Sequence, residues 1–519
     1  MTTNSALPPL ESGVTLTAIG VDNLRALRME EPVELRRLML LVGRNGIGKS
    51  TFARVFPLLR QSADYGKREP LLWWERDEVD FGTFQEAVRR GSSTLTFQFE
   101  FTQEDGIAWM VSSTLGAASN GPNGSRVHRA NLQRGEDWLT IYYDQARTPT
   151  KIEGRTSGKA FTADRADAGS WTPSSLVGDR GALFGLPRNY RKARAELRKL
   201  LDILYPNAFE GVSRLQRRAL SSVLPWTTIN EPESLIHRAV HRRQGRSESY
   251  QDQNVEELRA EEARLRHILQ DPERDQLIRR INFCLWALRR LSRTEDLVEE
   301  VAVRTAYIGP FRATPERTYR PQSVSVEELD PSGANLAMFL SALTEEERAD
   351  LNTYLRQDLG FGIHTTQVGG HYSLELELED SRHNLLDTGF GYSQMLPVAV
   401  QLWASSRPLS TGRERHEQTD SIIVIEQPEL HLHPHQQVRM ARTLGAFAAN
   451  DHGPVQIIET HSDYLVSEIG MLVARGQLSP ERVGVLCFEP HPDVGTAVRM
   501  ATFDDEGRLQ NWPVGFLAP

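Results

Sequence analysis

The sequence predicts an α/β chain whose main sheet is assembled from both ends, with a block of helix inserted between. Three observations carry that prediction. Gly43-Arg44-Asn45-Gly46-Ile47-Gly48-Lys49-Ser50 fits the pattern G-x-x-x-x-G-K-[ST], between the short apolar run Leu38–Val42 and the helically spaced Thr51–Phe56. Three further apolar runs, at 421–425, 455–458 and 483–488, read as buried parallel strands with helical patterns between them. Between these two regions, roughly 188 to 300, the pattern is helical.

The glycine loop has a definite chemistry. Glycines let backbone N–H groups wrap phosphates, and the helix that follows adds its partial positive charge. Lys49 would reach the β- and γ-phosphates of a nucleotide, and the Ser50 hydroxyl would ligate Mg²⁺. Gly43, Arg44, Asn45, Gly46, Gly48, Lys49, Ser50 and Thr51 are therefore the predicted ATP-binding set.

Composition sets the outer bounds. The chain has 519 residues, with 39% hydrophobic and 25% charged, as in a globular protein with a sizeable core. No apolar run approaches the ~18 residues a membrane span needs, and the N-terminus shows no secretory signal. Cys284 and Cys487 are the only cysteines, too few for a disulfide framework or a zinc cluster, so a reducing cytoplasm is expected. Net charge is −9, which speaks against a globally basic nucleic-acid binder. Residues 188–246 run the other way, with 13 Lys/Arg against five Asp/Glu. That segment reads either as a footprint for a DNA or RNA backbone or as a solvated helical face.

Three blocks follow. Residues 1–150 hold the phosphate loop, strand-like 14–19 and the alternating stretch Leu95–Phe101. Residues 151–302 form the inserted helical block, after a Gly/Ser/Asn-rich stretch at 150–182 that reads as loop. Within it 190–205 is amphipathic, and Leu277, Ile281, Cys284, Leu288 and Leu291 form one apolar stripe. The stripe lasts barely two heptads, which suits a helical hairpin packed on its own domain or on a second subunit rather than a long arm. Residues 303–519 supply the rest of the α/β domain, starting with a strand over 301–308.

The second half of the site lies there. The run 421–426 has the form of a buried strand ending in a carboxylate, Glu426, which can hold Mg²⁺ beside the loop. Gln427-Pro428-Glu429-Leu430-His431-Leu432-His433-Pro434 follows it. His461, just past another buried strand, can touch the γ-phosphate or polarise the attacking water. Upstream, Gly389-Phe390-Gly391-Tyr392-Ser393-Gln394 forms a glycine-rich turn into an apolar helix. Pro397 suits that helix only if it begins near Ser393.

Read together, these elements resemble the ABC-type ATPase fold. More narrowly they resemble the overcoming-lysogenization-defect (OLD) ATPases, relatives of the RecF and SMC proteins found in bacterial anti-phage systems. The resemblance covers both ends of the chain and includes 21–27, 307–312, 426–434 and 512–516. It implies that 43–51 is the Walker A loop and that Glu426 ends the Walker B strand. It makes 389–394 the signature motif, with Gly389, Gly391, Ser393 and Gln394 contacting nucleotide. His431–Pro434 becomes the D-loop, His461 the switch histidine and Gln85 a Q-loop residue on the metal side. The signature of one subunit would face the loop of another, burying two ATP molecules in a homodimer or higher homo-oligomer. Hydrolysis would loosen that clamp.

Two departures from the family pattern matter. The position after the metal-side acid, usually Glu, is Gln427, and an amide cannot accept the proton of water. Either Glu429 or His461 compensates, or turnover is slow, well below the ordinary enzyme rate of about 10 per second. The signature order is also altered, which leaves Thr388 and Ser393 as alternative hydroxyls for the partner's γ-phosphate. Some OLD-type proteins carry a C-terminal nuclease domain. Here Asp504-Asp505-Glu506-Gly507 reads as a hairpin turn instead, so no nuclease activity is expected in this chain. The resemblance thus implies an ATP-driven subunit of an antiviral system that controls a separate effector, a nuclease or toxin. The alternative is a RecF/SMC-like DNA-repair ATPase, whose salt-dependent DNA affinity would fall when Arg217, Arg218, Arg242 and Arg243 are neutralised together. A transporter motor is disfavoured by the helical insert and the unusual signature.

Overall fold

A computed structural model describes residues 13–64, 69–75, 78–118, 124–145, 149–156, 158–164, 183–184, 272–321, 326, 328–379, 381–407, 422–451, 453–491 and 495–512. The basic segment 188–246, the amphipathic 190–205 and the tail beyond 512 lie outside them. The chain divides into two compact units: Met1–Ala108 with Leu115–Ser125 and Leu297–Pro519, and Trp109–Thr114 with Arg126–Asp296.

The first unit is organised by a seven-stranded sheet. Its strand order is Thr305–Ile308, Ile422–Glu426, Val455–Glu459, Leu38–Gly43, Val483–His491, Gly495–Phe503 and Leu509–Gln510. The first five run parallel, and the last two continue antiparallel. Every residue of Leu38–Gly43, Ile422–Glu426 and Val455–Glu459 is buried. Continuous rather than alternating apolar runs are what a parallel sheet covered on both faces requires. Helices Phe390–Ser405, Pro434–Ala449 and Asp463–Ala474 supply Leu396, Val398, Met440, Leu444, Leu465 and Ile469 to the same core. A parallel sheet gathers all its strand C-termini at one edge, where ligands of open α/β sheets bind. Here that edge collects Gly43, Glu426 and Glu459. The strand bearing Glu426 does not neighbour the loop strand, because Val455–Glu459 lies between them.

Two antiparallel sheets complete this unit's strands. Val14–Asp22 pairs with Val33–Glu34 and with Thr94–Gln103, and the latter alternates buried and half-buried side chains along its length. Gly362–Val368, His371–Leu378 and Ser381–Asn384 form a three-stranded meander. Asp504–Gly507 is the hairpin turn read from the sequence: Asp504 N–H donates to the Arg508 carbonyl at 2.9 Å and Gly507 N–H to the Asp504 carbonyl at 2.9 Å.

The second unit holds the antiparallel strands Asp137–Tyr143, Pro149–Thr156 and Lys159–Asp164, most of Ser125–Arg134, and the helix Pro272–Val303 as far as Asp296. Cys284, Leu288 and Leu291 of the predicted stripe are buried. Trp286 meets Trp109 edge-on at 6.3 Å, and the Arg290 guanidinium caps the Trp109 ring at 4.3 Å.

Three sequence expectations are corrected. Within the stretch 150–182 read as loop, Pro149–Thr156 and Lys159–Asp164 form two strands, a polar hairpin whose register fixes six residue pairs, while 165–182 lie outside the described residues. Residues 301–303 end the long helix rather than open a strand, and Thr305 Oγ1 donates back to the Val301 carbonyl at 3.1 Å. Helix Phe390–Ser405 starts three residues before Ser393, which places Pro397 in its interior. Interior proline ordinarily costs ~3 kcal/mol. Here its buried ring packs on the turn at Gly333, where an added Cβ would lie 2.8 Å from the Pro397 ring.

Candidate functional site: a phosphate loop with three carboxylates

The loop 43–50 connects the central strand to the helix Lys49–Ala53, which breaks at Arg54 and resumes as Val55–Asp64. Two glycines are demanded by geometry. Gly48 has φ +113°, and a Cβ there would meet Leu27 Cδ2 at 2.6 Å. Gly43, at φ +154°, lies with its missing Cβ 2.7 Å from the Phe488 carbonyl oxygen. The Thr496 hydroxyl pins the loop by donating to the Ile47 carbonyl at 2.7 Å. Gly48→Ala is expected to destabilise the chain by about 1–3 kcal/mol in urea unfolding. Gly46→Ala, at φ +73° with open space around it, should cost less. Equal effects would mean that the Leu27 contact is not decisive.

Lys49 is 3% exposed, and its ammonium donates to the Gly43 and Arg44 carbonyls at 3.0 and 2.9 Å. Glu459 Oε1 lies 3.8 Å away. Burial pulls the Lys49 pKa down, against the opposing pull of Glu459 and Glu429. Arg44, Asn45 and Gly46 face solvent, Ser50 is half-buried, and Thr51 is buried on the first helical turn.

Glu426 is 1% exposed and heavily bonded. Arg54 grips it with two charge-assisted bonds, Nε to Oε1 at 2.7 Å and Nη2 to Oε2 at 2.9 Å, and the Tyr307 hydroxyl donates to Oε1 at 2.8 Å. The peptide that follows is held as well. Arg312, its pKa pushed down to about 10 by burial, donates to the Glu426 carbonyl at 2.7 Å and the Gln427 carbonyl at 2.9 Å. Gln427 N–H reaches across to the Glu459 carbonyl at 2.8 Å, and this tethering fixes Gln427 at φ +48°.

Glu429 is turned toward the neighbouring strand end, where its Oε1 accepts the His461 N–H at 2.7 Å. Its Oε2 is sealed from solvent without a partner, as is Oε2 of Glu459. Burial raises the pKa of both carboxyls; the His461 N–H bond opposes this at Glu429, and the Ser50 hydroxyl opposes it at Glu459. His461 is solvent-accessible overall, but partial desolvation of its ring first and the Lys49 charge second lower its pKa, so the imidazole is neutral at pH 7. Two unpartnered buried carboxylate oxygens beside a lysine resting on loop carbonyls suit a phosphate chain with its hydrated cation.

The remaining predicted residues lie in two other places. Gly389–Gln394 packs on the segment after Glu429: a Cβ on Gly391 would stand 3.1 Å from the His431 carbonyl, and the Phe390 ring meets His431 edge-on at 4.9 Å. Ser393 and Gln394 are buried, and the Ser393 hydroxyl donates back to the Phe390 carbonyl at 2.8 Å. The Thr388 hydroxyl is likewise bonded to the Leu385 carbonyl, at 2.9 Å. Gln85 is exposed on the short helix Phe84–Ala87, and among the described residues none hydrogen-bonds its side chain. Arg54, Tyr307, Arg312 and Glu459 enter the site without being named as site residues from the sequence. Tyr307 and Arg312 bound the stretch 307–312 that the resemblance includes, Glu459 immediately precedes Thr460-His461 at a strand end, and Arg54 carries no such signal.

A parallel α/β sheet with a lysine-bearing glycine loop and acids at its carboxyl edge defines the class: a P-loop nucleotide-binding fold. Residues 325–466 match the family described as AAA ATPase domain; this stretch contains 389–394, Glu426, Glu429 and His461 but not the loop. No curated protein matches the chain. Among solved structures it is similar to the SMC head domain from Thermotoga maritima, at 8% identity and a TM-score of 0.35, covering 93% of this chain and 98% of that one. It is also similar to the recombination mediator RecF with ATP, at 11% identity and a TM-score of 0.30, covering 94% and 99%. At such scores neither likeness bears on the chemistry. Among the described residues no helix is long and apolar enough to cross a membrane.

Proposed function

We propose that this chain is an ATP-binding and slowly ATP-hydrolysing switch subunit that closes as a homodimer over magnesium nucleotide and controls a separate effector, a nuclease or toxin, in bacterial anti-phage defence. The observation that carries the ATP reading is the buried Lys49 ammonium, held on the loop's own carbonyls at the sheet edge where Glu429, Glu459 and His461 converge. Phosphate oxygens are better partners for that ammonium than carbonyls, because they carry charge.

The residues divide the work. The loop amides and Lys49 bind and orient the phosphates, and Ser50 with a neighbouring acid would hold Mg²⁺, which when bound offsets phosphate charge. Glu429 accepts the proton of the attacking water, since burial makes its carboxylate a stronger base and Gln427 cannot do so. Neutral His461 orients the water or the γ-phosphate. The turn 389–394 serves the partner's nucleotide. Its support is a sixteen-residue helix that starts on Gly389 with no side-chain cap, so its first N–H groups remain available, beside an exposed Phe390. The defence role rests on the motif order and its resemblance to OLD-type ATPases, with a RecF/SMC-like DNA-repair ATPase as the alternative.

Lys49→Ala tests the core of this reading. ATP affinity should fall by about two orders of magnitude, the loss of one strong charged contact. ATP-induced dimers should vanish in sedimentation, and phage protection by the native operon should be lost. An alanine protein that still dimerises with ATP would refute the switch.

A further inference from the structure

Glu426 and Glu459 end neighbouring strands at the same level and are paired in the parallel register. Glu459 is in turn paired with Leu41, just before the loop opens. Their surroundings differ sharply. Both oxygens of Glu426 are engaged, by two nitrogens of Arg54 and by the Tyr307 hydroxyl. Turning that carboxylate toward a nucleotide would strand a guanidinium that is already three-quarters buried. Glu459 is 2% exposed, with the Lys49 ammonium 3.8 Å from its Oε1 and the Ser50 hydroxyl beside it. Its Oε2 is buried with no partner at all. Such an orphaned oxygen is rare in folded proteins unless a further group completes it.

Resting on the nucleotide reading above, we propose that Glu459, rather than Glu426, is the carboxylate this chain presents to the divalent cation of bound ATP, with Ser50 beside it. Glu426 is then a positioning residue that locks the strand end through Arg54 and Tyr307. A cation that arrives with phosphates takes only one or two protein ligands.

The test is equilibrium binding of a fluorescent ATP derivative to the full chain, in magnesium and in EDTA. Magnesium should tighten binding to the wild type by about tenfold or more, and Glu459→Gln should abolish that gain while binding in EDTA persists. Glu426→Gln should melt at lower temperature yet keep the magnesium gain. The proposal is overturned if Glu459→Gln retains the gain, or if Glu426→Gln alone loses it. Should Glu459→Gln fail to fold, Glu459→Asp, which withdraws the carboxylate by one methylene, is read the same way: a reduced gain supports the assignment and an undiminished one ends it. If the wild type binds the derivative under neither condition, the nucleotide reading itself falls. That result is distinct from a wild type that binds without regard to Glu459.

Discussion

Arg54→Ala should lower the stability of the chain by about 3 kcal/mol, seen as a drop in the urea midpoint at unchanged slope. Glu426 is 2% exposed at its side chain and Arg54 27%, so removing the guanidinium leaves a carboxylate sealed from water with only the Tyr307 hydroxyl as donor. Breaking one side of a buried pair costs about 3–5 kcal/mol, and the partial exposure of Arg54 selects the lower end. Against the burial that lowers it, Glu426 raises the Arg54 pKa, and burial raises that of the Tyr307 hydroxyl, so both donors keep their protons. Arg54→Lys should be intermediate, because an ammonium replaces one of two parallel bonds. Combining Arg54→Ala with Glu426→Gln should recover part of the loss, since the stranded charge is gone while the amide oxygen can still accept from Tyr307. A single mutant within about 0.5 kcal/mol of wild type, the usual scatter for surface positions, would show that the pair does not hold the site together.

What the sequence discloses and what it conceals divide along chain distance. The loop 43–50 is contiguous, and its meaning is local: glycines for backbone approach, lysine for charge, flanking strand and helix within a few residues. The buried runs at 422–426, 455–459 and 483–488 are legible because parallel strands covered on both faces are largely apolar along their length. The Arg54–Glu426 pair spans 372 positions and Tyr307–Glu426 spans 119, and nothing near Arg54 marks it as more than a helix-surface cation. Helix Phe390–Ser405 illustrates a local rule overruled by packing. Pro397 argues for a start near Ser393, yet the ring fits against the turn at Gly333 and the helix runs through it. The hairpin over 149–164 is missed for the opposite reason: its strands are too polar to show alternation, and cross-strand pairing fixes them instead. The metal-side role of Gln85 rests on the family resemblance, and the fold leaves its side chain solvent-exposed on a short capped helix.

Glu429→Gln should separate catalysis from stability. Turnover of ATP should fall by about 10²–10⁴-fold, the usual contribution of a positioned general base, while ATP binding and dimer formation persist. The same change should make the folded chain more stable at neutral pH. Burial raises the Glu429 pKa above its unfolded value, so the folded state binds this proton more tightly. The group's favourable contribution is therefore complete below the unfolded value of about 4.3 and declines as pH climbs through the folded value. Glutamine carries no charge to desolvate and keeps an oxygen for the His461 N–H, which now bonds Glu429 Oε1 at 2.7 Å. The stability gap between variant and wild type should thus be near zero at pH 4, widen as pH rises and then level off. Unfolding midpoints measured from pH 4 to 8 would trace it. A half-buried carboxylate kept at a cost to the fold, with one oxygen sealed from solvent and unpartnered, is the pattern of a residue retained for chemistry. A glutamine variant that hydrolyses ATP at the wild-type rate would hand the role to His461, whose neutral imidazole is then the base and whose replacement should stop turnover instead.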